Sequence, residues 1–402
     1  MEVFVARRPV FDKEKVAFGY ELDFRAGFQE YYQALEADTS STDLMAFVNF
    51  AELTDGKTGF IPFPRDLLLL QFPVLFASDS TVTGISADLA EDEEVLERCR
   101  GLKEYGYAIA VLGTARRHLD APLLELADYV AVDFDAVPAE DRQAVISALA
   151  GRATQVIARN LDTAEDFSEA LSLGFGLFQG EFFTKPVVKP GKEIAASKLT
   201  YLQLLREVNN PALSYDEIAA LVEQDVALTY KLLKFMNSAW FGLKFEVSSI
   251  KHALVLLGPK EIRRWVSLVA VRSTGEDKPD ELLIRSLTRA KAAEQIGLAT
   301  NMQKESSELF LMGMLSLMDA LGDRPLEEIL AKLPLKENIK AALLDPEDTG
   351  KYRRVFEAVV SYERGQWEAL SAAAAELKMD EQKIPELMRA SVSWARSALE
   401  EM

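Results

Sequence analysis

Residues able to do chemistry are few in kind. The chain has two histidines, His118 and His252, and one cysteine, Cys99. Neutral imidazole is the usual nitrogen ligand of a metal, so no histidine-rich metal site can be built within one domain. A single cysteine excludes an internal disulfide and a thiolate cluster. Cys99 lies in the helix-like run "EDEEVLERCRGLKEYG" and reads as a buried helix residue. No G-x-S-x-G turn, phosphate-binding P-loop or C-x-x-C pair is present. Gly174 and Gly176 in "LGFGLFQG" give only a lone G-x-G, which a closing strand explains better. The apolar strand "YAIAVLG" stops at Leu112 and Gly113. A strand of this kind would place those residues at the mouth of an α/β barrel, where an enzyme normally keeps charge.

The elements that would position a site fall into two sets. Up to about residue 185, β-type runs alternate with segments whose apolar residues recur three and four apart. The runs are "AFGYELDF", "MAFVNF", "TGFIPF", "TVTGISA", "YAIAVLG", "YVAVDF", "TQVIARN" and "FGLFQG". Such β-then-α units close into a TIM-type barrel or lie as an open sheet, with ligands beyond the carboxyl ends of the strands in both. The number of units favours the barrel. After "FFTKPVVKPGKEIAASK" only helical patterns remain, which puts a boundary near residue 190: a barrel domain over 1–190 and an all-helical domain over 191–402. Ser214 with Glu217, and Ser249 ahead of "IKHALVLLG", are helix starts. Gly258 and Pro259 end that helix before "KEIRRWVSLVAV".

With 402 residues, 49% hydrophobic and 27% charged, the composition is that of an ordinary globular protein. No apolar run approaches the roughly 18 residues of a membrane span, and "MEVFVARRPV" does not look like a secretion signal. The expected location is the cytoplasm, with no membrane partner. A net charge of −19 repels nucleic acid phosphates, so nucleic acid is not an expected partner.

The motifs identify a family. "RRPVFD", "GYELDFR" and "FQGEFFTKP" resemble the QPI-x-D, EALLR and QG-x-x-x-x-x-P stretches of the EAL domain of bacterial cyclic di-GMP phosphodiesterases. "NSAWFG" followed by "SSIKHALVLLG" resembles the HDOD domain, a relative of HD-type phosphohydrolases. The resemblance implies a two-domain EAL-HDOD signalling protein. An EAL enzyme holds two metal ions at the barrel mouth with carboxylates and an Asn, and each missing hard oxygen ligand weakens such a site.

On that resemblance Glu21, Arg25, Asn49 and Gln179 match the EAL signature Glu, its Arg, the Asn of the following strand and the Gln of the closing QG pair. The other ligand positions are lost. Gly84 and Ala87 stand where the family has two acids, Leu112 and Gly113 where it has consecutive aspartates, Ala131 where it has a Lys, leaving Asp133, and Arg159 where it has an acid, with Asp162 following. In the plain structural reading Glu21 and Arg25 pair with each other, and Asn49 and Gln179 satisfy backbone groups at the rim. The helical half is equally poor: Ser316 and Leu317 stand at the His-Asp pair, Asp319 alone makes no metal site, and His252 reads as a surface residue.

The expected protein is therefore not an enzyme and takes no cofactor or metal. It acts by contact with other signalling proteins or by self-association into a homo-oligomer. Trp240 and Phe241 read as core anchors or interface aromatics. Lys251, Lys260, Arg263 and Arg264 form a candidate basic landing surface. The alternatives are a receptor that binds cyclic di-GMP without hydrolysing it, its phosphate held by Arg25, and, less favoured, an active phosphodiesterase.

Overall fold

A computed structural model describes residues 4–25, 50–187, 196–210, 214–223, 226–236 and 249–401. Contacts divide the chain into two compact units, Met1–Phe183 with Ser361–Trp367, and Thr184–Val360 with Glu368–Met402. The division falls at Phe183 rather than near 190, and a short C-terminal segment groups with the first unit.

The first unit is a closed barrel of eight strands in sequence order. They are β1 Val5–Phe11, β2 Ala17–Phe24, β3 Thr58–Pro62, β4 Thr81–Ser86, β5 Ala108–Leu112, β6 Tyr129–Asp133, β7 Gln155–Arg159 and β8 Leu177–Gln179. From β2 to β8 neighbours are parallel, but β1 runs antiparallel to both β2 and β8. The tight turn at Asp12 dictates this. Its backbone N–H donates to Val16 O at 2.9 Å, its side chain accepts from Val16 N at 2.9 Å, and Lys15 takes a φ of 63°. A connection so short can join strands only head to tail.

β5 and β6 carry three consecutive fully buried residues each, as parallel strands covered on both faces do. Around the ring lie α1 Phe50–Thr54, α2 Arg65–Leu69, α3 Glu93–Glu104, α4 Ala139–Leu149 and α5 Ala164–Leu173. Asp92 caps α3 by accepting from Glu94 N at 3.1 Å and Val95 N at 3.2 Å. Thr163 and Asp166 close a reciprocal box at the start of α5, and Gly174, φ 97°, ends it. The pair Gly174 and Gly176 thus serves a helix end and the entry to β8.

One expected strand is misplaced. β3 pairs directly with β2, Gly19 opposite Thr58 and Glu21 opposite Phe60, so the ring has no position for "MAFVNF" between them. Phe50 opens α1, and the rest of that run, with Asn49, lies outside the described residues. Apolar content suggested a strand; the ladder partner of β2 is supplied instead by "TGFIP".

The second unit is helical: α6 Ala196–Val208, α7 Tyr215–Glu223, α8 Val226–Met236, α9 Ile250–Thr274, α10 Asp280–Ala299, α11 Ser306–Leu315, α12 Met318–Gly322, α13 Leu326–Ala331, α14 Glu337–Leu344, α15 Lys351–Arg364, α16 Trp367–Glu376 and α17 Ile384–Glu401. α10 packs along α11 and α17, and α9 along α6. Ser214 and Ser249 cap α7 and α9 through Glu217 N at 3.3 Å and His252 N at 3.5 Å. α9 is two helices in one: Gly258 leaves helical geometry at φ 70°, ψ 169°, and Pro259 starts the second segment. Among the described residues no helix is long and apolar enough to cross a membrane.

Candidate functional site

The barrel interior is filled in layers. Val10, Phe60, Val82, Ala110, Ala131, Ile157 and Leu177 make the apolar floor. Above it, at the carboxyl ends of the strands, the mouth divides in two. Pro62, Gly84 and Leu112 line one arc, while Glu21, Arg159 and Gln179 line the other. The recess between them has room for roughly one water molecule.

Sheet register assembles the polar arc. Arg8 on β1 stands directly opposite Glu21 on β2, and Asp133 on β6 directly opposite Arg159 on β7. Arg8 Nη2 lies 3.1 Å from Glu21 Oε1 and 3.1 Å from Asp23 Oδ2. Arg159 joins the two cross-strand pairs, with Nη2 3.2 Å from Glu21 and Nη1 3.3 Å from Asp133 Oδ1. Glu21 is 4% exposed, so its charge is tolerated only because two guanidiniums face it. Burial pushes the Asp133 and Asp23 carboxyls above the ordinary 3.8, against the opposing pull of Arg159 on the first and Arg8 on the second. Arg8 Nε and Arg159 Nε are buried without a hydrogen-bond partner among the described residues.

The closing pair behaves as a backbone clasp. Gln179 Oε1 accepts from Asn160 N at 3.4 Å, and Gln179 O accepts from Leu161 N at 3.1 Å. Gly180 makes this approach feasible, since a Cβ there would lie 2.2 Å from Leu161 O.

Several expected placements change. Glu21 does not take Arg25 as its partner; it pairs with Arg8 and Arg159, and Arg25 stands over the Phe4 ring at 4.9 Å. The strand after β2 is β3, and the residue at its mouth end is Pro62, while Asn49 lies outside the described residues. Proline offers no metal ligand and no N–H. Gly84, Leu112 and Arg159 are at the mouth and Ala131 is in the floor, whereas Ala87 follows the end of β4 and is buried outside the recess. Gly113 sits just past β5 with φ 73°. The Asp162 N–H donates to Asp166 Oδ2 at 3.2 Å, at the start of α5.

A pair of divalent ions does not fit this arrangement. The carboxylates of Glu21 and Asp133 both lie against the guanidinium of Arg159, and those of Glu21 and Asp23 against Arg8, so fixed positive charge already faces the oxygens that ions would need. Among the described residues no three His, Cys, Asp or Glu side chains converge as a metal-binding group. Arg8 was the residue missed in sequence. A short hairpin fixes register, and that register alone places Arg8 opposite Glu21.

In the helical unit Ser316 accepts from Arg289 Nη1 at 3.3 Å and donates to Gly313 O at 2.6 Å, and Leu317 is buried. Asp319 accepts from Ala320 N at 2.8 Å, and burial raises its carboxyl. His252 is exposed. His118, in the barrel, accepts from Ala115 N through Nδ1 at 3.2 Å. Trp240 and Phe241 lie outside the described residues. Of the four basic residues, Lys260, Arg263 and Arg264 share one recess. Lys251 is apart from them, paired with Asp216 at 2.5 Å.

Residues 196–331 match the HDOD domain family model. Over its whole length the chain is 29% identical to the whole of YuxH from Bacillus subtilis strain 168. It is also 29% identical to a Vibrio cholerae protein named cyclic di-GMP phosphodiesterase CdgJ, over 98% of this chain and 92% of that one. A solved manganese and cyclic di-GMP complex of Klebsiella pneumoniae BlrP1 aligns with 45% of this chain and 55% of its own at 15% identity and a TM-score of 0.34. Residues 196–331 thus carry an HDOD domain, while the "GYELDFR" and "FQGEFFTKP" stretches of the closed barrel resemble those of EAL domains.

Proposed function

We propose that the chain is a cytoplasmic signalling protein of the cyclic di-GMP-related EAL-HDOD kind whose barrel does not hydrolyse the nucleotide, and whose domains act by contact with other signalling proteins. The observation that carries this reading is the guanidinium of Arg159, held 3.2 Å from Glu21 and 3.3 Å from Asp133. A positive charge fixed between the two mouth carboxylates opposes the binding of paired cations, and without them no hydroxide is generated at neutral pH. Incubating the full chain with cyclic di-GMP and manganese or magnesium is expected to leave the nucleotide intact. Metal-dependent appearance of the linear dinucleotide overturns the proposal. Capture from the native cell is expected to return protein partners.

A second reading, a receptor that binds cyclic di-GMP without cleaving it, draws support from the unpartnered buried Nε groups of Arg8 and Arg159 and from the name of the Vibrio relative. Calorimetry decides it: micromolar binding that Arg8→Ala abolishes favours the receptor, and no heat at millimolar nucleotide removes it.

A further inference from the structure

The recess beside the second half of α9 is separate from the barrel mouth and does not depend on the reading given for it. Gly258 and Pro259 restart the helix, so Lys260, Arg263, Arg264 and Ser267 fall at positions i, i+3, i+4 and i+7 and share one face. Three cations on one face of a concave surface, with a single acid in its lining, make a locally basic spot. The recess they line is open to solvent and encloses room for about two or three water molecules.

Each cation is held differently. Arg263 Nε donates to Val208 O at 2.7 Å, which anchors the side chain and leaves its terminal nitrogens without a partner among the described residues. Arg264 lies over the rings of Trp394 at 4.8 Å and Phe310 at 5.4 Å, which fixes its plane. Lys260 is exposed and has no ion-pair partner among the described residues. The one acid in the recess, Glu294, is 4% exposed and is already engaged by Lys291 at 2.8 Å and, more loosely, by Arg264 at 3.8 Å. Ser267, 2% exposed, completes the lining on the same face.

We propose that this recess binds the phosphate group of a small phosphorylated molecule. Arg263 would present its fork to two phosphate oxygens, Lys260 would close over the group as a mobile point charge, and the Ser267 hydroxyl would donate to a third oxygen. The concavity and small volume suit a single phosphate and exclude a flat bilayer.

Calorimetry on the full chain, with inorganic pyrophosphate as probe at low salt, tests the proposal. Saturable binding is expected, weakened about tenfold or more by Lys260→Ala and by Ser267→Ala, with neither variant changing the melting temperature. Arg263→Lys is expected to weaken binding, since its ammonium cannot span two oxygens. Absence of saturable binding overturns the proposal. So does binding that both Lys260→Ala and Ser267→Ala leave unchanged, and so does a chain that ignores pyrophosphate but sediments with phosphatidylglycerol vesicles in a Lys260-dependent way. The barrel variant Arg8→Ala is expected to bind pyrophosphate normally, so failure here and failure of the reading for the mouth are distinguishable.

Discussion

Arg159 is the residue on which the barrel mouth turns. Its side chain is 15% exposed and that of Glu21 5%, so their pairing is close to a buried one, and removing one partner of such a pair costs about 3–5 kcal/mol because the other charge is stranded. Glu21 keeps Arg8 at 3.1 Å, so Arg159→Met is expected to lower stability by less than that, about 1–3 kcal/mol in chemical unfolding, while the double variant with Glu21→Gln recovers part of the loss. A cost in the double variant as large as in the single one would mean that the charge pairing is not what matters. Asp133 gives a second residue-scale expectation, through pH. Burial raises its carboxyl above 3.8, so the folded state holds the proton more tightly than the unfolded chain does. Ionisation then subtracts stability: the cost is absent below about pH 3.8, grows as pH rises toward the folded value, and is fully present above it. Relative to the parent, Asp133→Asn is expected to gain stability between pH 4 and pH 7. A difference in melting temperature that stays flat with pH, or moves the other way, would refute that assignment.

At the level of elements, the strand and helix ends decide which sequence signals were legible. The β-then-α alternation, the change to helices after the proline-rich segment and the break at Gly258 could all be read, because periodicity and backbone-limited residues act locally. The partner of β2 could not. "MAFVNF" and "TGFIPF" are equally apolar, and only the hydrogen-bond ladder, a non-local property, gives the second to β2 and puts Pro62 at the mouth. The pairing of Glu21 was misread for the same reason: spacing along one strand suggested Arg25, whereas the neighbour across the hairpin is Arg8. β8 offers a test at this scale. Gly180 follows it with φ 153°, and a Cβ would meet Leu161 O at 2.2 Å, so Gly180→Ala must push β8 off the turn after β7. A loss of at least about 2 kcal/mol is expected, against about 1 kcal/mol for Gly151→Ala, where no atom lies within 4 Å and only the strain of φ 83° is added. Equal effects at the two glycines would show that backbone strain, not the clasp, sets the cost. α3 supplies the inverse case, a site that should be silent: the Cys99 thiol is buried in it and pushed up to about 12 by desolvation. Alkylation of the native chain at pH 8 is expected only on the timescale of unfolding.

On the scale of the whole molecule, charge and division into units act together. Of the net charge of −19, residues 1–183 carry −17 and the remainder of the chain −2, so it is the first unit that repels itself, and the arginines at the barrel mouth are built against that field. Exposed ion pairs contribute little and are weakened by salt, whereas long-range repulsion among unpaired surface carboxylates is screened over about 10 Å at 0.1 M. The second effect should win in a chain with so large an excess of acids, because the excess has no partners to lose. Raising sodium chloride from about 10 mM to about 150 mM is therefore expected to raise the unfolding midpoint. Two compact units with separate cores further predict that heat capacity scans need more than one two-state transition, with the upward shift in salt confined to that of the acidic first unit. The buried Arg159 cluster should be nearly insensitive, so Arg159→Met is expected to lower the same transition by the same amount at both salt concentrations. A midpoint that falls with salt would mean that surface ion pairs, rather than the net excess of acid, dominate the energetics of this protein.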